Sequence, residues 1–417
     1  MKNTKEKSSR FNWAKRRKDR YYYASQWSLM LRKFRKHKLA MMSFYVLLFF
    51  YIVAIFGNFV APQGTEQYDG NYVNCPPTKL HLFHEGKFVG PFVYGLKTER
   101  NFETFMLDFK EDTEKIYPIR LIVEGEEGGE YKWLGLIPSN THLFGTDEGG
   151  KVFLFGTDSM GRDLFSRVVL GAQISLFIPV VGMLLTLILG LFMGSLAGYF
   201  GGWVDTLIQR MVEVVRSFPQ IPLWMALSAA IPKTLKPAQV FMLMTLILSL
   251  ISWPDLSRVV RSKFISVKNE DFIMAARISG ASPAKVITRH MIPSFISYII
   301  VNMTLSIPNL IIGETTLSFL GLGLRSPATS WGVLLQETNK LATITFHGWK
   351  LIPMFFVFLT VLAFNFLGDG LRMPRIPISN GGAGYVYEEK EWEYPGAGAF
   401  PGYDPGCAGP AGQYQSG

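Results

Sequence analysis

Residues 269–293 read NEDFIMAARISGASPAKVITRHMIP, a polar and cationic island between the apolar runs Val240–Ile251 and Phe295–Leu324. Its punctuation predicts two short helices and a bend. Asn269, Glu270 and Asp271 put acceptors and negative charge at a helix start, where free backbone N–H groups need partners. Gly280 can take the left-handed conformation that ends a helix. Ser282 and Pro283 restart one, with Ser as N-cap and Pro at the first helical position. Ala275 and Ala276 keep one arm small, and Pro293 ends the island. The result is a compact knob suited to another protein's groove. An alternative reading of Arg277, Lys285 and Arg289 is a helix lying on a membrane surface.

Outward from the island the chain is apolar. Of 417 residues, 48% are hydrophobic and only 18% charged. Six stretches approach the roughly 20 apolar residues that a bilayer core requires, so the expected class is an all-α membrane protein. The first, residues 39–61, runs too long and lies too far from Met1 for a cleavable signal peptide, and reads as an anchor. The second is expected at about 174–196 and the third at 203–231, kinked by Pro219 and Pro222. The fourth is about 238–255, the fifth 294–324 and the sixth about 351–367.

The net charge of +10 follows the membrane rather than a nucleic acid. Residues 1–38 carry 14 Lys/Arg against two acids, which places this basic segment in the cytoplasm and the long loop after the first span outside. Next to a spanning helix such a segment reads as a contact for anionic lipid. No nucleic-acid partner is expected. Residues 62–155 are expected to form a small β-rich extracytoplasmic subdomain. Runs 87–94 and 119–124 read as strands, with a hairpin turn over 125–130. The Pro/Gly/Tyr-rich tail 374–417 has no apolar periodicity and reads as disordered and cytoplasmic.

Two further phrases stand out. Gly145-Thr146-Asp147 is echoed by Gly156-Thr157-Asp158, which continues as Ser159-Met160-Gly161-Arg162-Asp163. Gly156 and Gly161 permit tight turns, and Asp158, Arg162 and Asp163 can pair to fix an outer entrance segment. In the fifth span, Asn302, Asn309, Glu314 and Ser318 are polar groups at membrane depth, tolerated where they line protein or a water-filled path. Glu314 is the sharpest candidate for a translocation pathway.

Enzyme signatures are weak. Gly145-x4-Gly150-Lys151 nearly spells a phosphate-binding loop, but Val152 stands where Ser or Thr must hold magnesium. His81, His84 and Cys75 match no closed zinc set, and no metal site is expected. The cysteines, Cys75 and Cys407, are expected on opposite sides of the membrane, with Cys75 open to labelling from outside. No catalytic residue is assigned, and the chain reads as non-enzymatic.

Ala275-Ala276, Gly280 and Ile292-Pro293 resemble the cytoplasmic loop of ABC importer permeases, E-A-A-x3-G-x9-I-x-L-P. Met274 stands in place of the Glu, and His290 where Ile is frequent. The G-T-D-x-x-G-R-D phrase and Ser318-Phe319-Leu320-Gly321-Leu322-Gly323 resemble the oligopeptide, dipeptide and nickel branch of that family. The resemblance implies six transmembrane helices, with residues 156–373 as the permease core and 269–293 as its coupling loop. Asp271, Ala275, Ala276, Gly280, Ala281, Ser282 and Pro283 would couple to an ATPase. It also implies a homologous second permease, two cytoplasmic ATPases holding ATP and magnesium, and an extracytoplasmic binding protein. This chain would carry no cofactor. Localisation would be a bacterial or archaeal inner membrane, with both termini cytoplasmic. Substrate would cross by alternating access, with a peptide as the leading candidate and nickel, opines or oligosaccharides as alternatives. A secondary transporter or channel without ATPase is the rival reading.

Overall fold

The structure is a computed structural model that describes residues 26–372, apart from 101–106, 126–130, 134–136, 147–148, 233 and 327. Most of the expected hairpin turn, most of the basic N-terminal segment, Asp147, Cys407 and the 374–417 tail lie outside the described residues.

Helices α1 (Gln26–Lys36), α2 (Lys38–Ile55) and α3 (Gly57–Val60) precede the sheet. Strands β1 (His81–His84), β2 (Lys87–Arg100), β3 (Leu107–Glu124) and β6 (Thr141–Thr146) form a four-stranded sheet in the order β1-β2-β3-β6. Each neighbouring pair is antiparallel, and β4 (Tyr131–Trp133) pairs with β5 (Ile137–Ser139) beside it. Phe144 of β6 packs edge-on against Phe165, and the His142 ring Nδ1 lies 2.5 Å from the Ala61 carbonyl. The sheet is thereby tied to the ends of two apolar helices.

The rest is helical: α4 (Leu164–Phe200), α5 (Gly202–Arg216), α6 (Gln220–Ala229), α7 (Pro237–Val267), α8 (Asp271–Ile278), α9 (Pro283–Lys285), α10 (Ile292–Ser294), α11 (Ile296–Phe319), α12 (Trp331–Gln336), α13 (Leu341–Phe346) and α14 (Ile352–Leu371). Among the described residues five helices are long and apolar enough to cross a membrane: α2, α4, α7, α11, and α14 with the turn before it. At 1.5 Å per residue, α4 is roughly 55 Å long, far more than a bilayer core of about 30 Å.

Small residues let α4 and α7 approach. Gly182, Thr186, Gly190, Gly194 and Gly198 recur every fourth position, so they share one face of α4. A Cβ at Gly190 would crowd Leu256, one at Gly194 the Ser257 carbonyl and Val260, and one at Gly198 would overlap Phe264. The Ser249 hydroxyl donates to the Gly182 carbonyl at 3.1 Å across the same seam. Close packing of small residues is what drives helix association where apolar surface gains nothing from leaving lipid.

Two expectations about the spans are corrected. The third is not one kinked helix: α5 stops at Arg216 and α6 starts at Gln220, with Pro219 in an extended conformation as N-cap. Proline also disfavours helical geometry at Phe218 before it, so the chain breaks rather than bends. Two charged side chains of α5, Asp205 and Arg216, find partners on α7, which runs on past Asp255 to Val267. Arg261 holds Asp205 through two bonds of 2.5 Å, and Arg216 pairs with Asp255.

The second concerns residues 327–349, which hydropathy leaves outside any span between the fifth and the sixth. Trp331, Val333, Leu334 and Leu335 of α12 are buried. The Trp331 ring donates to the Val168 carbonyl at 2.9 Å, and its backbone N–H donates to the Ser175 hydroxyl at 3.0 Å. Four large apolar residues in six cannot stay in water, so this segment folds in among α4, α11 and α14.

Candidate functional site

The knob takes the bent form that its sequence predicts. Glu270 is the N-cap of α8, and Asp271 opens the first turn. At the other end Gly280 has φ +78°. Its N–H donates to the Arg277 carbonyl at 3.0 Å, and the Ala281 N–H donates to the Ala276 carbonyl at 3.1 Å. These two bonds are a Schellman motif, which needs a left-handed residue at this position. The space around Gly280 is open for 4 Å, so backbone geometry alone selects glycine. Ser282 starts the second arm through its backbone, its carbonyl accepting from Val286 N–H at 3.0 Å; its side chain makes no cap bond. The arm continues through a π-helical turn, Val286–Met291, into α10.

One side of the knob is seated and the other is free within this chain. Ile273, Val286 and Met291 are fully buried in a cluster with Val260, Phe264, Phe295 and Ile299. Arg277 lies over the Tyr199 ring, 5.0 Å from its centre. Asp271, Ala275, Gly280, Ser282 and Pro283 are exposed, with Ala276 and Ala281 half-buried. Phe272, Met274 and Ile278 expose 45%, 46% and 84% of their surface. The small-residue motif drew attention away from these three. Their exposure depends on which face of α8 meets the core, and an eight-residue helix shows that weakly in sequence.

The four polar residues of the fifth span fall into two groups. Glu314 and Ser318, one turn apart, are wholly buried, and the Ser318 hydroxyl donates to Glu314 Oε1 at 2.9 Å. They sit behind the α12 segment: a Cβ on Gly332 would meet Ser318 at 2.8 Å. Asn302 is half-buried and donates to the Tyr298 carbonyl of its own helix at 2.8 Å, while Asn309 is exposed. The structure therefore does not bring all four onto one face.

The entrance phrase is a buried latch. Gly156 and Gly161 have φ +75° and +78°. A Cβ at Gly156 would lie 2.6 Å from the Cys75 carbonyl, and one at Gly161 would overlap the Asp69 carbonyl. Asp158 Oδ1 accepts from the backbone N–H groups of Met160 and Arg162 at 2.8 and 3.0 Å. Its Oδ2 accepts from Arg162 Nε at 2.7 Å and from Arg167. Burial alone would raise this carboxyl, but the Arg167 and Arg162 charges with the two N–H bonds hold it below its ordinary value. Arg162 and Arg167 also approach Glu337 at 4.0 and 3.9 Å, and Lys350 donates to Glu337 at 2.9 Å and to Asn74 at 2.6 Å.

Two expectations here are corrected. Asp163 does not join the arginines: its Oδ2 caps α4, accepting the Ser166 N–H at 2.7 Å and hydroxyl at 2.6 Å. Burial pushes its carboxyl up to about 6. Cys75, expected to be open to labelling, is fully buried, and burial pushes its thiol up to about 12. His81 lies 3.4 Å from Glu111, and His84 shares a 3.0 Å hydrogen bond with the Tyr94 hydroxyl.

Comparison with known sequences converges on this architecture. Residues 187–372 match the family described as binding-protein-dependent transport system inner membrane component. Residues 25–77 match the N-terminal TM domain of oligopeptide transport permease C. The chain is 30% identical to the dipeptide transport system permease protein DppC of Bacillus subtilis, over 82% of each chain. It is 34% identical to the oligopeptide transport system permease protein OppC of the same organism, over 56% of this chain and 75% of that one. Against OppC of Haemophilus influenzae it is 39% identical over 52% of this chain and 68% of that one. The chain belongs to the family of oligopeptide and dipeptide ABC permease subunits, non-catalytic multi-pass components of the inner membrane that work with ATPase and substrate-binding partners.

Proposed function

We propose that this chain is one of two permease subunits of an ATP-driven importer of oligopeptides or dipeptides. The observation that carries the reading is the knob: its inner face is locked into the helical core, and its outer face presents Phe272, Met274 and Ile278 to a partner. A rigid element is what a nucleotide-driven movement needs if it is to reach the helices without being absorbed in loop. The broken pair α5–α6 completes a sixth crossing. Both termini lie in the cytoplasm, and the β sheet lies outside with the latch. ATP and magnesium bind on two cytoplasmic ATPases, and a homologous permease closes the pathway. Glu314 and Ser318 act from behind α12, and Asn302 and Asn309 face the second subunit.

Purification of the tagged chain in mild detergent tests this. P-loop ATPases and a second permease are expected to come with it, with ATPase activity stimulated by binding protein loaded with peptide. A chain that purifies alone and transports in vesicles without ATP is a secondary transporter.

The orientation has its own test. In a Cys407→Ser background, where buried Cys75 is silent, Tyr68→Cys is expected to react with an impermeant maleimide on intact cells. Ser266→Cys should react only after permeabilisation. Tyr68 and Ser266 are both exposed, so neither variant disturbs packing. The opposite pattern inverts the topology.

A further inference from the structure

Between the sheet and the start of α4 lies a cleft of about 630 Å³, within the range of roughly 300–1,000 Å³ typical of small-ligand sites. Asn58 and residues 63–67 form one wall, Leu170, Gln173 and Ile174 of α4 line another part, and Ala328 and Thr329 close a further side. A smaller cleft of about 300 Å³ shares Gln63, Glu66 and Gln67, so the 63–67 loop is open to both.

The lining has a definite chemistry. Among the described residues Glu66 is its one carboxylate and no lysine or arginine borders the larger cleft, while Asn58, Gln63, Gln67 and Gln173 contribute carboxamides beside Tyr131 and His142. A carboxamide offers donors and an acceptor together, the complement of a peptide main chain. Leu170, Ile174 and Ala328 add apolar surface for short side chains. The wall is also held in place. Gln63 N–H donates to the Ser166 hydroxyl at 3.0 Å, Gly64 N–H to Gln67 Oε1 at 2.8 Å, and Gln173 Nε2 to the Ala54 carbonyl at 3.0 Å. Ser166 is itself bonded to the α4 cap, Asp163. Thr329 adjoins Ser330, the N-cap of α12, so the cleft abuts the segment that screens Glu314 and Ser318.

We propose that this cleft is a subsite for the amino end of an extended peptide, with the ammonium group on Glu66 and the first main-chain amides on the carboxamides. The proposal rests on the peptide-import reading above and deepens it. Among the described lining residues of the larger cleft the only other ionisable groups are the Tyr131 phenol and the His142 imidazole, so Glu66 favours an ammonium group there and disfavours a carboxylate end.

The test needs no transport. Trialanine with a benzophenone amide at its carboxyl end is photolysed with the detergent-purified chain and the subunits that come with it, and adducts are mapped by mass. Labelling is expected on the walls away from Glu66, at residues 170–174 or 328–329. N-acetylation of the probe, or Glu66→Gln, should lower it at least about fivefold, and Glu66→Asp should restore most of it. Glu66 is exposed, so these variants fold. Equal labelling by free and acetylated probes, or labelling unchanged by Glu66→Gln, overturns the subsite. Uptake of radiolabelled trialanine by the wild-type complex separates the two readings. Import without cleft labelling removes the subsite alone, and no import of any peptide removes the import reading, whatever the labelling.

Discussion

Ile278→Glu is expected to leave the protein folded and inserted while abolishing ATP-driven uptake. Ile278 exposes 84% of its surface at the end of α8, and substitutions at such positions usually change stability by less than about 0.5 kcal/mol. At an interface the same side chain is an apolar anchor, flanked by Met274 one turn back. Loss of such an anchor typically costs about 2 kcal/mol or more. A carboxylate forced into the partner's groove adds desolvation. An effect of roughly 3–4 kcal/mol lowers ATPase association by about two to three orders of magnitude. The readouts are the ATPase recovered with the tagged chain and the initial rate of peptide uptake. Wild-type values for both would remove the coupling role.

Two companion variants separate surface from scaffold. Gly280→Ala meets no atom within 4 Å and pays only for a left-handed alanine, about 1–2 kcal/mol, so uptake should fall modestly. Gly280→Pro cannot reach φ +78° and loses the N–H that bonds Arg277, so the bend is lost and uptake with it. Ile273→Ala removes a fully buried side chain from the seat of the knob and should cost about 2–5 kcal/mol, lowering stability as well as uptake. Only Ile278→Glu separates docking from folding.

The contrast between knob and latch shows what the sequence could and could not convey. Everything that shapes the knob lies within 25 residues: an acidic start, a left-handed glycine, and a serine–proline restart. Local rules of capping and turn chemistry therefore read it correctly. The latch was half legible. Its glycines and the Asp158–Arg162 pair are neighbours in the chain, but Glu337 reaches Arg162 and Arg167, and Lys350 reaches Asn74, from more than 150 residues away. No spacing rule connects them. The cap role of Asp163 was hidden because α4 begins at Leu164, ten residues before the apolar run suggested. Hydropathy likewise reports where a chain is apolar, not where it is continuous. It merged α5 and α6 across Pro219, and it left the six-residue α12 unread because a buried segment that short does not register as a span.

Asp158→Asn is expected to be the most destabilising conservative change in the chain. Asparagine keeps the Oδ1 acceptor that closes the turn to Met160 and Arg162, so local geometry survives. The other oxygen becomes an NH2 group facing two arginines. Arg162 and Arg167 are 7% and 2% exposed, and Glu337 at 3.9–4.0 Å is left as their main counter-charge. Removing one member of a buried ion pair typically costs about 3–5 kcal/mol, because the survivor stays buried and uncompensated. At roughly 2 °C per kcal/mol for a large domain, the heat-inactivation midpoint of the purified complex should drop by about 6–10 °C. Adding Arg167→Met removes the stranded charge and should return part of the loss, so the double variant is more stable than Asp158→Asn alone. The sign with pH follows from a carboxyl held below its ordinary value: wild-type stability from this group is full near neutrality. It is lost as the outer pH falls through the depressed native value. A double variant less stable than either single one would mean that Arg167 is held by packing rather than by Asp158. The latch would then be a packed plug and not an electrostatic one.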